Sequence, residues 1–362
     1  MNPSRYDYAI EVVLQDGTHL KQVPAAMDWG PAVAWWRFMA LRQARGEVLP
    51  RRGGAVIEPV WDAARGAPFV AGVRVSLAGA DGETAVVLPR TYFNRAALEA
   101  GRRLVEQQLL APRETFLYRV IAYPKSEPSA RPAGLALTVE EADAPPTIRA
   151  SSLAALSENA TAVGPAHEAD VPVFIPQAVL DCATDLSLEA GAEETAGILI
   201  GHLCRDVESA QLFLQLTDLI PAGHTRTKTT AVTFTPETWS AVQAALQLRR
   251  SDEVWLGWFH SHPAKYWCPP SCPAEVRRAC SLQQRNVFSA ADCALHRTVF
   301  PLAHSLALVV TVSDAGVRPA LYGWREGLIV QRGFSVLQAA PGLRELVIGD
   351  ATIGEVYEKE CN

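Results

Sequence analysis

The sequence predicts an α+β protein. A C-terminal domain of three-layer α/β type, with a mostly antiparallel sheet flanked by helices, follows a separate N-terminal α+β domain. Three observations lead there. Apolar runs of strand length alternate with capped or amphipathic helical stretches through most of the 362 residues. Turn signals fall between neighbouring strand candidates, as hairpins require. A stretch rich in Pro, Ala, Ser and Glu separates two denser regions, which divides the chain into an N-terminal domain at 1–125, a linker at 126–170, a main domain at 171–335 and a C-terminal extension at 336–362.

In the N-terminal region, "YAIEVVL" and "HLKQV" read as a hairpin across Asp16-Gly17. "PAVAWWRFMALRQARG" reads as a helix, with Pro31 near its start and Gly46 beyond its end. "AGVRVSLAGADGETAVVLP" is a second hairpin around Asp81-Gly82, "FNRAALEAGRRLVEQQLL" an amphipathic helix, and "TFLYRVIAY" a closing strand. Trp35 and Trp36 read as core, with an exposed binding patch as the alternative. Nothing in this region is arranged as a chemical site. Substrate recruitment and oligomerisation are its candidate roles.

In the main domain "PQAVLDCATDLSLEAG" reads as a helix, "TAGILIGHL" as a buried strand and "AQLFLQLTDLIPAG" as another. "FTPETWSAVQAALQLRR" carries full helix signals: Thr235 as N-cap, Pro236 at the first position, Glu237 in the first turn. "EVWLGWFHSH" is a strand, and "HSLALVVTVSDAGVRPALYGW" a hairpin.

Composition bounds the function. Hydrophobic residues at 49% and charged residues at 20% are an ordinary globular balance, and a net charge of −6 argues against a nucleic-acid partner. The N-terminus has no apolar core of signal-peptide length, and no run reaches the apolar length of a membrane span. The expectation is a soluble cytoplasmic protein without a membrane partner. Seven cysteines are too few for a disulfide scaffold in this length, but Cys268, Cys272 and Cys280 are clustered, which points to metal.

Three segments carry chemistry. In "WFHSHP" alternate side chains of a strand share a face, so His260 and His262 form a natural metal pair, against the bland reading of two unrelated histidines. In "FSAADCALHRTVF", Ser289 and Asp292 have capping-box spacing, which leaves room for a carboxylate turned towards the histidines. In "EETAGILIGHL" a glutamate precedes a buried strand. It is a solvated turn residue unless the fold brings it to the metal, where it could act as a general base.

Together these segments resemble the JAMM (JAB/MPN+) zinc metalloproteases, known as deubiquitinating isopeptidases. The family pattern appears in order as Glu194-Thr-Ala-Gly197, His260-Ser-His262-Pro263 and Ser289-Ala-Ala-Asp292, within residues 171 to 330. The resemblance implies an MPN-type fold in which His260, His262 and Asp292 hold zinc and leave a position for water. Glu194 would be the general base, with Glu193 as its neighbouring competitor, and Ser289 the oxyanion donor. It implies a ubiquitin-like protein or its conjugates as substrate and E1- or E2-like enzymes as company. Processing of a sulfur-carrier protein and a non-catalytic scaffold are the alternatives.

One departure is large. Residues 263 to 291, 29 in all, separate His262 from Asp292, far more than the family pattern has. The excess holds Cys268, Cys272 and Cys280, which predicts a second, structural zinc with Cys293 or His296 as fourth ligand. Free thiols, a disulfide and a zinc-finger module are the competing readings. His202, His224 and His304 read as structural, and Cys182 and Cys204 as small buried apolar residues.

Overall fold

The computed structural model describes residues 4–43, 55–62, 69–77, 85–125, 147–222, 226–228, 231–249, 252–269, 271–280, 283, 286–338, 346–348 and 356–358. The N-terminal region contains β1 (Tyr6–Leu14), β2 (His19–Ala25), α1 (Gly30–Gln43), β3 (Ala55–Asp62), β4 (Phe69–Leu77), β5 (Val86–Pro89), α2 (Asn94–Glu106) and β6 (Phe116–Pro124). They form two antiparallel sheets, ordered β2-β1-β6 and β3-β4-β5. Period-two alternation turns Tyr8, Ile10 and Val12 inward, where Tyr8 meets Trp29 and Phe93. Trp35 and Trp36 are core residues, 3% and 6% exposed. The expected hairpin around Asp81-Gly82 is present as the β4–β5 pair, while its turn and Gly46 lie outside the described residues.

Residues 126–146 also lie outside the described residues, but the rest of the Pro- and Ala-rich stretch is built into the main sheet. It supplies β7 (Ile148–Ser151), α3 (Leu153–Glu158) and β8 (Ala160–Val163). β7 and β8 are four residues each, too short to stand out from their composition. There follow β9 (Val173–Pro176), α4 (Gln177–Glu189), β10 (Ala196–Asp206), β11 (Leu212–Pro221), β12 (Arg226–Lys228), β13 (Ala231–Thr233), α5 (Pro236–Arg249) and β14 (Val254–His262). The chain continues through α6 (Ala274–Ala279), α7 (Ala290–Val299), β15 (Leu306–Ser313), β16 (Gly316–Arg325), β17 (Leu328–Arg332) and β18 (Phe334–Leu337). β19 (Leu346–Ile348) and β20 (Val356–Glu358) pair with each other in the C-terminal extension.

The main sheet runs β17-β16-β15-β14-β10-β11-β9-β18-β8, with β7 beside the far end of β10. Its central pairs β10–β11 and β10–β14 are antiparallel and β14–β15 is parallel. One face packs against α5 and α7 through Ile198, Trp258, Val242 and Phe300. The other, through Leu199, Leu203 and Phe259, packs against α4 and joins a core continuous with Trp29, Trp35 and Phe38 of the N-terminal region. The arrangement is the expected helix–sheet–helix layering with a mostly antiparallel sheet. At α5, Pro236 opens the helix as its sequence predicts, but the Thr235 hydroxyl finds no partner among the described residues, so Thr235 shows no side-chain cap there.

The β10–β14 pairing carries a register shift. Leu199 faces Gly257, whereas the next residue, Ile200, faces Trp255. The bulge lets Leu256 and Phe259 both reach the α4 face, while Trp255 and Trp258 turn to the α5 and α7 face. It therefore decides which side of the sheet the following histidines occupy.

Candidate metal centre

Downstream of the bulge, Trp258, His260 and His262 alternate on the side of the sheet covered by α7. The two histidines are 1% and 3% exposed, and their rings meet edge to face. His260 Nε2 lies 3.0 Å from His262 Nε2 and 3.4 Å from Asp292 Oδ1. His262 Nε2 lies 3.7 Å from Asp292 Oδ2. Among the described residues, these three offer ligand atoms all within 4.8 Å of one another, and they can hold a metal ion.

The donor set fits a cation on its own terms. His260 Nε2, His262 Nε2 and an Asp292 oxygen converge here, and a cation would satisfy all three donors together. Burial holds the His260 imidazole below its ordinary range, against the opposing pull of Asp292. Burial also works against the Asp292 carboxylate, but hydrogen bonds to His260 and His262 outweigh it and keep Asp292 well below the usual range. Two nitrogens and a carboxylate suit a borderline metal with an open position.

Asp292 reaches this point because it belongs to a capping box. Ser289 Oγ accepts the Asp292 N–H at 3.1 Å, while Asp292 Oδ2 accepts the Ser289 N–H at 2.6 Å. The capping conformation is thus also the one that turns the carboxylate towards the histidines, so the two sequence readings are compatible.

Glu194 sits just before β10, whose first residue, Ala196, pairs with His260. Glu194 is buried and Glu193 is exposed, so the competing glutamate points away from the site. Burial pushes the Glu194 carboxyl up to about 7, with His262 lowering it and Asp292 raising it. Ser261, between the two histidines but on the opposite face, fixes this corner. Its Oγ accepts the Thr195 N–H at 2.9 Å, and its own N–H donates to the Thr195 carbonyl at 2.9 Å.

The long segment after His262 starts as a 3-10 turn at Ala264–Tyr266 and places Trp267 against the His262 ring, centroids 5.4 Å apart. Cys268 lies beside Cys280 and Cys272 and accepts from Gln283 Nε2 at 3.6 Å. The segment is tied to the β15–β16 hairpin through Arg277–Asp314 at 3.0 Å, and the Asp314 N–H donates to Gln283 Oε1 at 3.2 Å. Cys293 and His296 do not join these thiols. Cys293 neighbours Asp292 and Arg297. His296 is wholly buried, accepts from the Trp258 indole at 3.0 Å, and is pushed down to about 3 chiefly by burial.

Sequence reasoning missed Trp258 and Trp267, the aromatic walls of the site. Trp258 was within reach, since it precedes His260 by two residues and so shares its face. Of the histidines read as structural, His202 is buried between Arg149 and Asp252, and His304 is buried against Phe38. His224 lies outside the described residues. Cys204 is fully buried, and Cys182 is partly buried against the core.

Residues 171–284 match the family model described as JAB1/Mov34/MPN/PAD-1 ubiquitin protease. The chain carries a JAB/MPN domain. The matched span contains Glu194, His260 and His262 and ends inside the long segment, before Ser289 and Asp292. Among solved structures, the solution structure of protein DSY2949 from Desulfitobacterium hafniense is similar at 16% identity and a TM-score of 0.30, over 46% of this chain and 92% of that one. No curated protein matches the chain. JAB/MPN domains occur both in hydrolases and in proteins without catalysis. No described helix is long and apolar enough to cross a membrane.

Proposed function

We propose that the chain is a zinc-dependent peptidase or isopeptidase of JAMM type, cleaving after the C-terminal glycine of a ubiquitin-like protein in deconjugation or precursor processing. The observation that carries this reading is the convergence of His260, His262 and Asp292 beside a buried Glu194. A scaffold would need none of these groups in register. Cytoplasmic E1- and E2-like enzymes are the partners this reading expects.

Zinc, when bound, supplies Lewis acidity and water activation at neutral pH. The chain's own residues do the rest. His260 and His262 present Nε2 lone pairs, and Asp292 supplies the charge. The Glu194 carboxylate takes a proton from the attacking water and returns it to the departing amine, and its burial, which favours the protonated form, suits the second transfer. Ser289 Oγ accepts from the Asp292 N–H, which leaves the hydroxyl's own proton for the developing oxyanion.

The test is cleavage of ubiquitin-like fusions by the wild type and by Glu194→Gln. The variant should keep its metal and lose roughly 10²- to 10⁴-fold in kcat. No cleavage by either form would favour a scaffold, whereas equal cleavage by both would remove Glu194 from the base role. A sulfur-carrier precursor belongs in the substrate panel as the alternative within the same chemistry. A structural zinc on Cys268, Cys272 and Cys280 is a separate proposal, although their sulfur atoms do not group as closely as the His260, His262 and Asp292 donors. All three thiols reacting freely with a thiol reagent in the native protein would refute it.

A further inference from the structure

Ligand histidines in metal sites usually donate their second ring N–H to a carboxylate or carbonyl, which fixes the ring's orientation. Here no described side chain or carbonyl supplies that partner. The Nδ1 atoms of both His260 and His262 are buried and find no hydrogen-bond partner among the described residues. Something else must hold the rings.

For His260 the closest ring contact among the described residues is the Trp258 indole, while Phe288 lies farther off, with centroids 6.2 Å apart. The Trp258 indole stacks on the His260 ring, with centroids 4.5 Å apart and planes 12° from parallel. Trp258 is 1% exposed and packs against Phe234, Phe288 and Phe300, and among the described residues its one side-chain hydrogen bond is the Nε1–H donated to His296 Nδ1 at 3.0 Å. His296 is itself enclosed by Phe288, Phe300 and Trp324. It is 0% exposed, and its other nitrogen has no partner among the described residues. An imidazole buried this way is costly, and an apolar side chain would fill the space more cheaply. Its presence is explained if the Nδ1 acceptor is needed.

We infer that His296 is a positioning residue for the metal centre: by holding the Trp258 indole in one rotation, it sets the plane of the ligand His260 in place of the missing hydrogen bond. His296 is thus linked to the catalytic ion through Trp258, not to the cysteine cluster. The inference rests on the metal-binding part of the proposed function and does not involve the substrate.

Metal affinity tests it directly. Zn2+ affinity would be measured by chelator competition on the full chain, together with the visible spectrum of the Co2+-loaded protein and thermal stability in excess chelator. His296→Leu and Trp258→Phe each break the link. Each should weaken Zn2+ binding about 10- to 100-fold and shift the Co2+ bands. The double variant should be little worse than either single one, since both remove the same contact. His296→Asn, whose Oδ1 can replace Nδ1 as acceptor, should recover most of the affinity. Loss of thermal stability with unchanged Zn2+ affinity and Co2+ bands would reduce His296 to a packing residue and overturn the inference. Additive losses in the double variant would overturn it as well. A chain that passes these tests yet cleaves no fusion would refute the peptidase reading and leave this inference standing.

Discussion

One hydroxyl at Ser289 serves both the fold and the proposed chemistry. As an acceptor it caps α7, and as a donor it is available to the oxyanion. The two roles separate by substitution. Ser289→Ala should cost about 1 kcal/mol of stability through the lost cap and lower kcat roughly 100-fold with little change in KM. Ser289→Asn keeps a capping oxygen, so it should restore stability in thermal melts but not the rate. Asp292 shows the same economy, because the carboxylate that closes the cap also faces the histidines. At this scale the resemblance was informative: the family pattern that ends in Gly197 implies Glu194 and not Glu193, and Glu194 is the buried member of the pair. His296 was not legible. Its nearness in sequence to Cys293 suggested the cysteine cluster, but one helical turn beyond Asp292 its side chain enters the aromatic core.

Strand β14 does the positioning at the scale of elements. Its bulge aims Trp258, His260 and His262 to one side, and at Gly257 it passes unusually close to β15. A Cβ added at Gly257 would lie 1.9 Å from the Leu306 carbonyl oxygen, a backbone atom that cannot move without breaking the pair. Gly257→Ala should therefore destabilise by at least about 3 kcal/mol in denaturant unfolding. It should also lower metal affinity, because the strand that loses register is the one bearing both histidines. Hydrophobic period and helix caps made the long strands and helices readable, including β10, β14 and α5. The bulge was not readable, since it depends on which residue of β10 each residue of β14 meets. Nor were β7 and β8, whose pairing with β10 and β18 comes from the sheet edge and not from their own composition.

Over the whole molecule, the JAB/MPN domain buries one sheet face against its own helices and shares the other with the N-terminal region. α1 is bound into that shared core: Phe38 packs on His304, Arg205 donates to the Leu41 carbonyl at 3.0 Å, and Arg42 to the Ala169 carbonyl at 3.1 Å. Burial pushes the His304 imidazole down from 6.5 to about 4. A lowered pKa means the folded state resists protonation. His304 thus contributes stability that is fully present above pH 6.5 and is lost as the pH falls through 4, on the order of 3 kcal/mol in all. His296, pushed from 6.5 to about 3 by the same cause, adds a loss over the same range that continues to about pH 3. Unfolding melts across pH 6.5 to 4 should show this decline, and His304→Leu should make it about half as steep. A variant with the wild-type slope would place the acid sensitivity elsewhere. The most direct test of the account is the metal content of the purified chain before and after His260→Ala and Asp292→Ala. The account predicts that each substitution removes one equivalent of zinc while the chain stays folded. Zinc content unchanged by either substitution, or a folded wild type that takes up no zinc at all, would contradict it.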